Sequence, residues 1–212
     1  MSYTPIARSK VNPLARYAAK LVVKLLGWGI EGGKCPVPKA VVAAAPHSSN
    51  WDLFFTLLSA AASDVPIWFM MKHTHFWWPL RVLWYYLGGV PINRGASASV
   101  VSQMVKALNK SERMYIVIPP EGTRKNVEHW KTGFYYIANE AGIPVWPWFI
   151  NYKTKRTGSG DLIYTTGNIE EDFARIRAFY EENYGPMPSC RPAPRKNEPD
   201  VKSDGSEQGK EC

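Results

Sequence analysis

The sequence predicts an α/β domain: a mainly parallel central sheet flanked by helices, with an N-terminal amphipathic helix and a disordered C-terminal tail. Three observations carry this. Hydrophobic residues make up 45% of the 212 positions, enough for one domain with a substantial core. Short apolar runs alternate with longer helical patterns from residue 40 to residue 185, the order that builds parallel sheets. From residue 186 onward, proline, charged and small residues take over and the aromatics vanish. Such a segment buries too little to offset its ordering entropy. The expected division is residues 1–30, an N-terminal amphipathic segment expected to dock on a membrane, residues 31–185, the folded domain, and residues 186–212, the tail.

The elements follow in order. In "NPLARYAAKLVVKLLGW", Asn12 is an N-cap candidate and Pro13 sits at the first helical position, where its missing N–H costs nothing. Leu14, Tyr17, Ala18, Leu21, Val22, Leu25 and Leu26 form an apolar face, and Arg16, Lys20 and Lys24 recur every fourth residue. Two readings fit this pattern: a helix packed on the core with its charges in water, or a basic amphipathic helix lying in a membrane interface. Residues 40–45, 65–71, 89–93, 113–119 and 144–152 read as strands. Residues 51–62, 76–88, 97–110, 133–142 and 169–185 read as helices.

Lys and Arg total 26 against 18 Asp and Glu, a formal charge of +8. That implies an anionic partner: nucleic acid, anionic lipid or a phosphorylated substrate. No zinc-finger, RNA-recognition or helix-turn-helix signature accompanies the charge, so nucleic acid is not expected. Nine tryptophans and eleven tyrosines suit a boundary that is apolar at one end and wet at the other. The aromatic stretch "FWWPLRVLWYY" reads either as core or as such a boundary. Cys35, Cys190 and Cys212 are scattered, with no CxxC pair, so neither a zinc ribbon nor a disulfide framework is indicated. His73 and His75 lack a nearby carboxylate or cysteine, and no metal is expected. The N-terminus lacks signal-peptide features. The longest apolar stretch, residues 65–90, is interrupted by Lys72, His73, His75 and Arg81, so no membrane span is expected. The chain is expected on a membrane surface, at its cytoplasmic face.

The stretch "APHSSNWD" carries the first chemical signal. Pro46 pushes Ala45 toward extended backbone, which ends the strand, and Ser49 or Asn50 can cap the next helix. His47 thus falls in the turn at a strand's carboxyl end, where open α/β sheets place ligands. Asp52 lies in the first helical turn. One reading makes Asp52 a capping residue unrelated to the histidine. The other lets it reach back across the turn to one imidazole nitrogen, fixing the tautomer and leaving the other nitrogen to take a proton. Three further stretches add weight. "GGVPINRG" puts Arg94 after a short strand. "PPEGTRK" offers the Gly122 N–H, the Thr123 hydroxyl and the Arg124 fork as phosphate donors. "GIPVWPW" is a strand with two prolines.

In this order the four blocks resemble the glycerolipid acyltransferase family. Its first block is matched by His47 and Asp52, its second by Gly89, Pro91 and Arg94. The third is matched by Pro120, Glu121, Gly122, Thr123 and Arg124, with Pro119 in place of the usual phenylalanine. The fourth is matched by Pro144 and Pro147, with Trp146 and Trp148 in place of smaller residues, a change that bears on the acyl pocket. The resemblance implies that residues 31–185 are an acyltransferase domain that needs no cofactor. His47, assisted by Asp52, would remove the proton of an acceptor hydroxyl while that oxygen attacks a thioester. Arg94 and the turn of Glu121, Gly122, Thr123 and Arg124 would hold the acceptor phosphate. Glu121, an anion, would brace Arg94 or Arg124 or hold a hydroxyl, and Lys72 and Lys131 would lie near the site. The implied partners are a lysophospholipid acceptor, foremost 1-acyl-glycerol-3-phosphate, an acyl-CoA or acyl-carrier-protein donor, and an anionic membrane surface. Three alternatives stand beside this: another lysolipid acceptor, a non-catalytic membrane-binding protein, and a serine hydrolase using Ser48 or Ser49. The last lacks the Gly-x-Ser-x-Gly elbow.

Overall fold

The computed structural model describes residues 11–49, 51–92, 97–123, 125 and 127–193. Seven strands form one sheet: β1 (Gly29–Glu31), β2 (Lys39–Ala45), β3 (Ile67–Lys72), β4 (Gly89–Ile92), β5 (Met114–Ile118), β6 (Val145–Asn151) and β7 (Arg156–Ser159). Their order is β1-β7-β6-β2-β5-β3-β4. From β6 to β4 all neighbours are parallel. Strand β7 returns antiparallel beside β6, and β1 pairs parallel with β7. The carboxyl ends of the five parallel strands therefore share one edge of the sheet, and the turns bearing His47 and Glu121 leave from that edge.

The run "AVVAAA" lies in a strand covered on both faces, which is why it does not alternate with polar residues. Val41, Ala43 and Ala45 point into a core with Met104, Leu108, Phe134, Ile137, Phe173 and Ile176. These come from helices α4 (Ser97–Lys110), α5 (Gly133–Ala141) and α6 (Ile169–Asn183). Ala40, Val42 and Ala44 pack on the other face, with Leu53, Leu57 and Ala60 of α2 (Trp51–Ala62) and Trp84 and Leu87 of α3 (Leu80–Leu87). The two tryptophans of the proline-bearing strand belong to this second core. The Trp146 and Trp148 indoles donate to the Gly160 carbonyl and the Thr157 hydroxyl, each at 3.0 Å.

Helix α1 (Pro13–Leu25) starts as expected, with the Asn12 side chain accepting the Leu14 N–H at 2.9 Å. Its apolar residues divide between two sides. Ala19 and Val23 are buried against Leu58, Ala61 and Ala62 of α2, because small side chains let the two helices approach. The larger residues Leu14, Tyr17, Leu21 and Leu25 are exposed on the other side. Arg16 does not join Lys20 and Lys24 in the solvated row, because its guanidinium pairs with Asp64 at 3.5 Å.

Strands β1 and β7 were not foreseen. They are three and four residues long and lack an apolar run. They come together because Gly158 has no side chain: a Cβ there would lie 2.5 Å from the Glu31 carbonyl oxygen. The expected tail boundary at residue 186 also shifts. Met187 and Cys190 are buried, the Trp130 N–H donates to the Arg191 carbonyl at 2.9 Å, and the Ala193 N–H donates to the Trp130 carbonyl at 2.9 Å. Residues 186–193 thus pack on the α6 side of the sheet, although their composition is tail-like. The rest of the expected tail lies outside the described residues. Among those residues, no helix is long and apolar enough to cross a membrane.

Candidate active site

His47 leaves the end of β2 and is held at two points. Its backbone N–H donates to Glu121 Oε2 at 2.5 Å. Its Nδ1 lies 3.0 Å from Asp52 Oδ2. With Asp52 ionised, that contact assigns the proton to Nδ1 and leaves Nε2 free to accept another.

Asp52 both caps and orients, so the two readings of the opening stretch hold together. Its Oδ2 accepts the Ser49 N–H at 2.7 Å, while the Ser49 hydroxyl accepts the Trp51 N–H at 3.1 Å. This reciprocal arrangement is close to a capping box, with the hydroxyl taking the N–H two positions on in place of three. It also occupies the Ser49 hydroxyl as an acceptor. The other oxygen, Oδ1, accepts from the Tyr152 hydroxyl at 2.6 Å. Burial acts to raise the Asp52 carboxyl, but the hydrogen bonds from His47, Tyr152 and Ser49 outweigh it and hold the group below its ordinary range. The carboxylate is thus poised to stabilise an imidazolium.

Glu121 begins the turn that follows β5. The resemblance groups it with residues that hold phosphate, yet its carboxylate is buried and is used by the His47 N–H. Burial pushes this carboxyl above its ordinary value, and the His47 N–H only partly offsets that. The turn depends on Gly122, whose φ is +64°, a left-handed conformation that L side chains adopt only with strain. The turn is tied down by the Lys131 N–H, which donates to the Pro120 carbonyl at 2.8 Å.

These groups border a cavity of about 1240 Å³. Its polar lining includes His47, Asp52, Thr123, Lys125 and Lys131. Its apolar lining comes from both faces of the sheet. Leu53, Ile67, Phe69 and Val117 belong to the α2 side, and Met70, Ile92, Ile118 and Ile137 to the α4–α5 side. The cavity therefore wraps over the carboxyl edge of the sheet, with His47 at that edge.

Of the sequence-predicted residues, His47, Asp52, Gly122, Thr123 and Lys131 meet at this cavity, with Glu121 behind His47. Lys72 ends β3, exposed and outside the cavity lining. Trp146 and Trp148 do not line it either; they are core residues. Arg94 and Arg124 lie outside the described residues. His73 sits on the turn His73–His75, its Nδ1 3.4 Å from the Ile92 carbonyl oxygen. Two site residues were missed: Lys125, next to the expected phosphate turn, and Tyr152, directly after β6. Their one sequence signal is position, since each follows a parallel strand at its carboxyl end.

The chain matches the model of the Acyltransferase family over residues 31–151, a stretch that includes His47, Asp52 and the Glu121 turn. Among curated proteins no sequence matches at a significant level. The crystal structure of PlsC from Thermotoga maritima, a 1-acyl-sn-glycerophosphate (LPA) acyltransferase, is similar, with a TM-score of 0.53. It shares 19% identity over 80% of this chain and 77% of that one. At that identity the likeness is one of fold.

If Glu121 serves His47, its substitutions should separate. Glu121→Gln keeps an acceptor for the His47 N–H. Glu121→Ala leaves that donor unpaired, which costs about 1–3 kcal/mol. Urea unfolding is expected to show Glu121→Ala less stable than Glu121→Gln by that amount. Equal stabilities would contradict this role.

Proposed function

Because the chain belongs to the acyltransferase family, we propose that it moves a fatty acyl group from acyl-CoA or acyl-carrier protein to the hydroxyl of a lysophospholipid, foremost 1-acyl-glycerol-3-phosphate. The observation that carries this reading is the His47–Asp52 pair at the edge of a cavity that is apolar on both sides and basic at one rim. The apolar lining suits acyl chains. Lys125, Lys131 and the Thr123 hydroxyl suit a phosphate. The similar fold of the Thermotoga maritima enzyme supports the same acceptor.

The geometry is compatible with the following reaction. His47 Nε2 takes the proton of the acceptor hydroxyl as that oxygen attacks the thioester carbonyl. The new C–O bond forms, the tetrahedral intermediate collapses, and the C–S bond breaks. The imidazolium then returns its proton to the departing thiolate, giving ester and free thiol. Asp52 stabilises the imidazolium during this interval. Glu121 fixes the backbone from which the imidazole projects. Arg94 and Arg124, with Lys131, are assigned to the acceptor phosphate.

Purified protein is incubated with a panel of lysolipids and labelled acyl donors, and the products are identified by mass. Transfer is expected to a phosphate-bearing lysolipid. His47→Ala is expected to lose at least about 10²-fold in kcat, as loss of a general base does. Arg124→Ala and Lys131→Ala are expected to raise the acceptor KM far more than the donor KM. Equal use of an acceptor lacking phosphate would contradict the assignment, as would near-normal turnover in His47→Ala.

A lysolipid tail sits in a bilayer, so the enzyme must meet one. The docking surface we assign is the outward face of α1, continued by Trp51 and Phe54 of α2 and by Trp77, Trp78 and Tyr86 in and before α3, all exposed. Helices α2 and α3 both follow parallel strands, and Asp52, Leu53 and Thr56 of α2 line the cavity. Lys20 and Lys24 flank the apolar face of α1. Basic side chains near an anionic surface contribute about 1 kcal/mol each. Replacing Leu14, Tyr17, Leu21 and Leu25 by glutamine leaves the packed Ala19–Val23 side intact. This variant is expected to stay folded, to sediment less with anionic liposomes, and to lose activity on vesicles more than on detergent-dispersed substrate. Undiminished sedimentation would contradict α1 docking.

A further inference from the structure

We propose that Tyr152 is a positioning residue for the His47–Asp52 pair. The inference rests on the reading of His47 as the base. Tyr152 is the first residue beyond β6, one hundred positions from the carboxylate it serves. Its hydroxyl donates to Asp52 Oδ1 at 2.6 Å, while Oδ2 is occupied by His47 Nδ1 and the Ser49 N–H. Both oxygens of the carboxylate are thus engaged. The group cannot rotate away from the imidazole without breaking the Tyr152 bond.

The ring that carries this hydroxyl is itself held. It packs edge-on against Trp28 and Phe55, with centroids 5.4 and 5.6 Å away. Those two rings stack on each other at 4.1 Å. Trp28 follows α1, and Phe55 lies one turn into α2. The phenol is therefore held between α2 and the segment that joins the N-terminal helix to the sheet. Burial and the neighbouring Asp52 charge push the hydroxyl above its ordinary range, so it remains a donor.

Two consequences follow for the dyad. The bond orients Asp52, which favours turnover. It also draws charge from the carboxylate, which weakens the pull of Asp52 on the Nδ1 proton. Deleting the hydroxyl should loosen the orientation and make the carboxylate more basic, strengthening the His47–Asp52 bond and favouring the imidazolium. A residue that only filled space would produce neither electrostatic effect.

Tyr152→Phe deletes the hydroxyl and keeps the ring between Trp28 and Phe55. Its kcat is expected to fall about tenfold, the low end for a hydrogen bond to a charged group. Both KM values should hold, and the acid limb of the pH profile should move to higher pH. The second readout needs no turnover: the downfield proton resonance of the His47 Nδ1–H, assigned by its loss in His47→Ala, should move further downfield in Tyr152→Phe. If neither the acid limb nor the resonance moves, the proposal is overturned even if kcat drops, because the residue then acts through packing alone. If the wild type transfers no acyl group to any acceptor, the acyltransfer reading fails. A displaced resonance would still support Tyr152 as the residue that positions Asp52.

Discussion

The site depends on two buried carboxylates that grip one histidine from different sides. Glu121 takes the backbone N–H of His47 and Asp52 takes its ring N–H. Each comes from a different segment: Glu121 from the turn after β5, Asp52 from the first turn of α2. Register between β2 and β5 underlies the first contact: Ala43 pairs with Ile118, the last residue of β5, and β2 runs on beside β6 to Ala45 before the turn that bears His47. The parallel sheet thereby sets the position of the imidazole. The cap of α2 sets its rotation.

The two carboxyls are tuned in opposite directions. Asp52 is held low by three hydrogen bonds despite its burial, which suits a group that would face an imidazolium in the proposed reaction. Glu121 is pushed up by burial, and its partner is an amide that never changes charge. The first is arranged for charge, the second for geometry. The capping role of Asp52 adds to this. A residue that already closes the N-terminus of a helix has its carboxylate fixed before any substrate arrives, so the orienting contact needs little further ordering.

Much of this was legible in the sequence. Five strands and the turn bearing His47 follow from apolar runs and from Pro46, whereas the pairing with Asp52 rests on the order of the four blocks, since the spacing alone fits an unrelated cap equally. What was not legible depends on contacts across the sheet. Glu121 is 74 positions from His47, and nothing local tells a glutamate that braces a backbone from one that braces an arginine. Tyr152 reads as the last residue of an apolar strand. Strands β1 and β7 have no apolar run and exist because Gly158 admits a close backbone. The periodicity of α1 reveals an amphipathic helix but not its orientation, because Ala19 and Val23 on one side and the leucines on the other are all apolar. Burial went to the small side chains, which left the leucines facing outward. Met187 and Cys190 sit in a stretch whose composition resembles a tail, and only their pockets against the core distinguish them.

The central claim is that His47 works as a base and that the acyl group passes directly from donor to acceptor without resting on the protein. Intact-protein mass spectrometry tests this most directly: the enzyme is mixed with labelled acyl donor alone, and lysolipid is added afterwards. The account predicts an unmodified protein mass before the acceptor is added, with label appearing only in the lipid product afterwards. An acyl adduct on the protein that forms without acceptor and is discharged by lysolipid would contradict it.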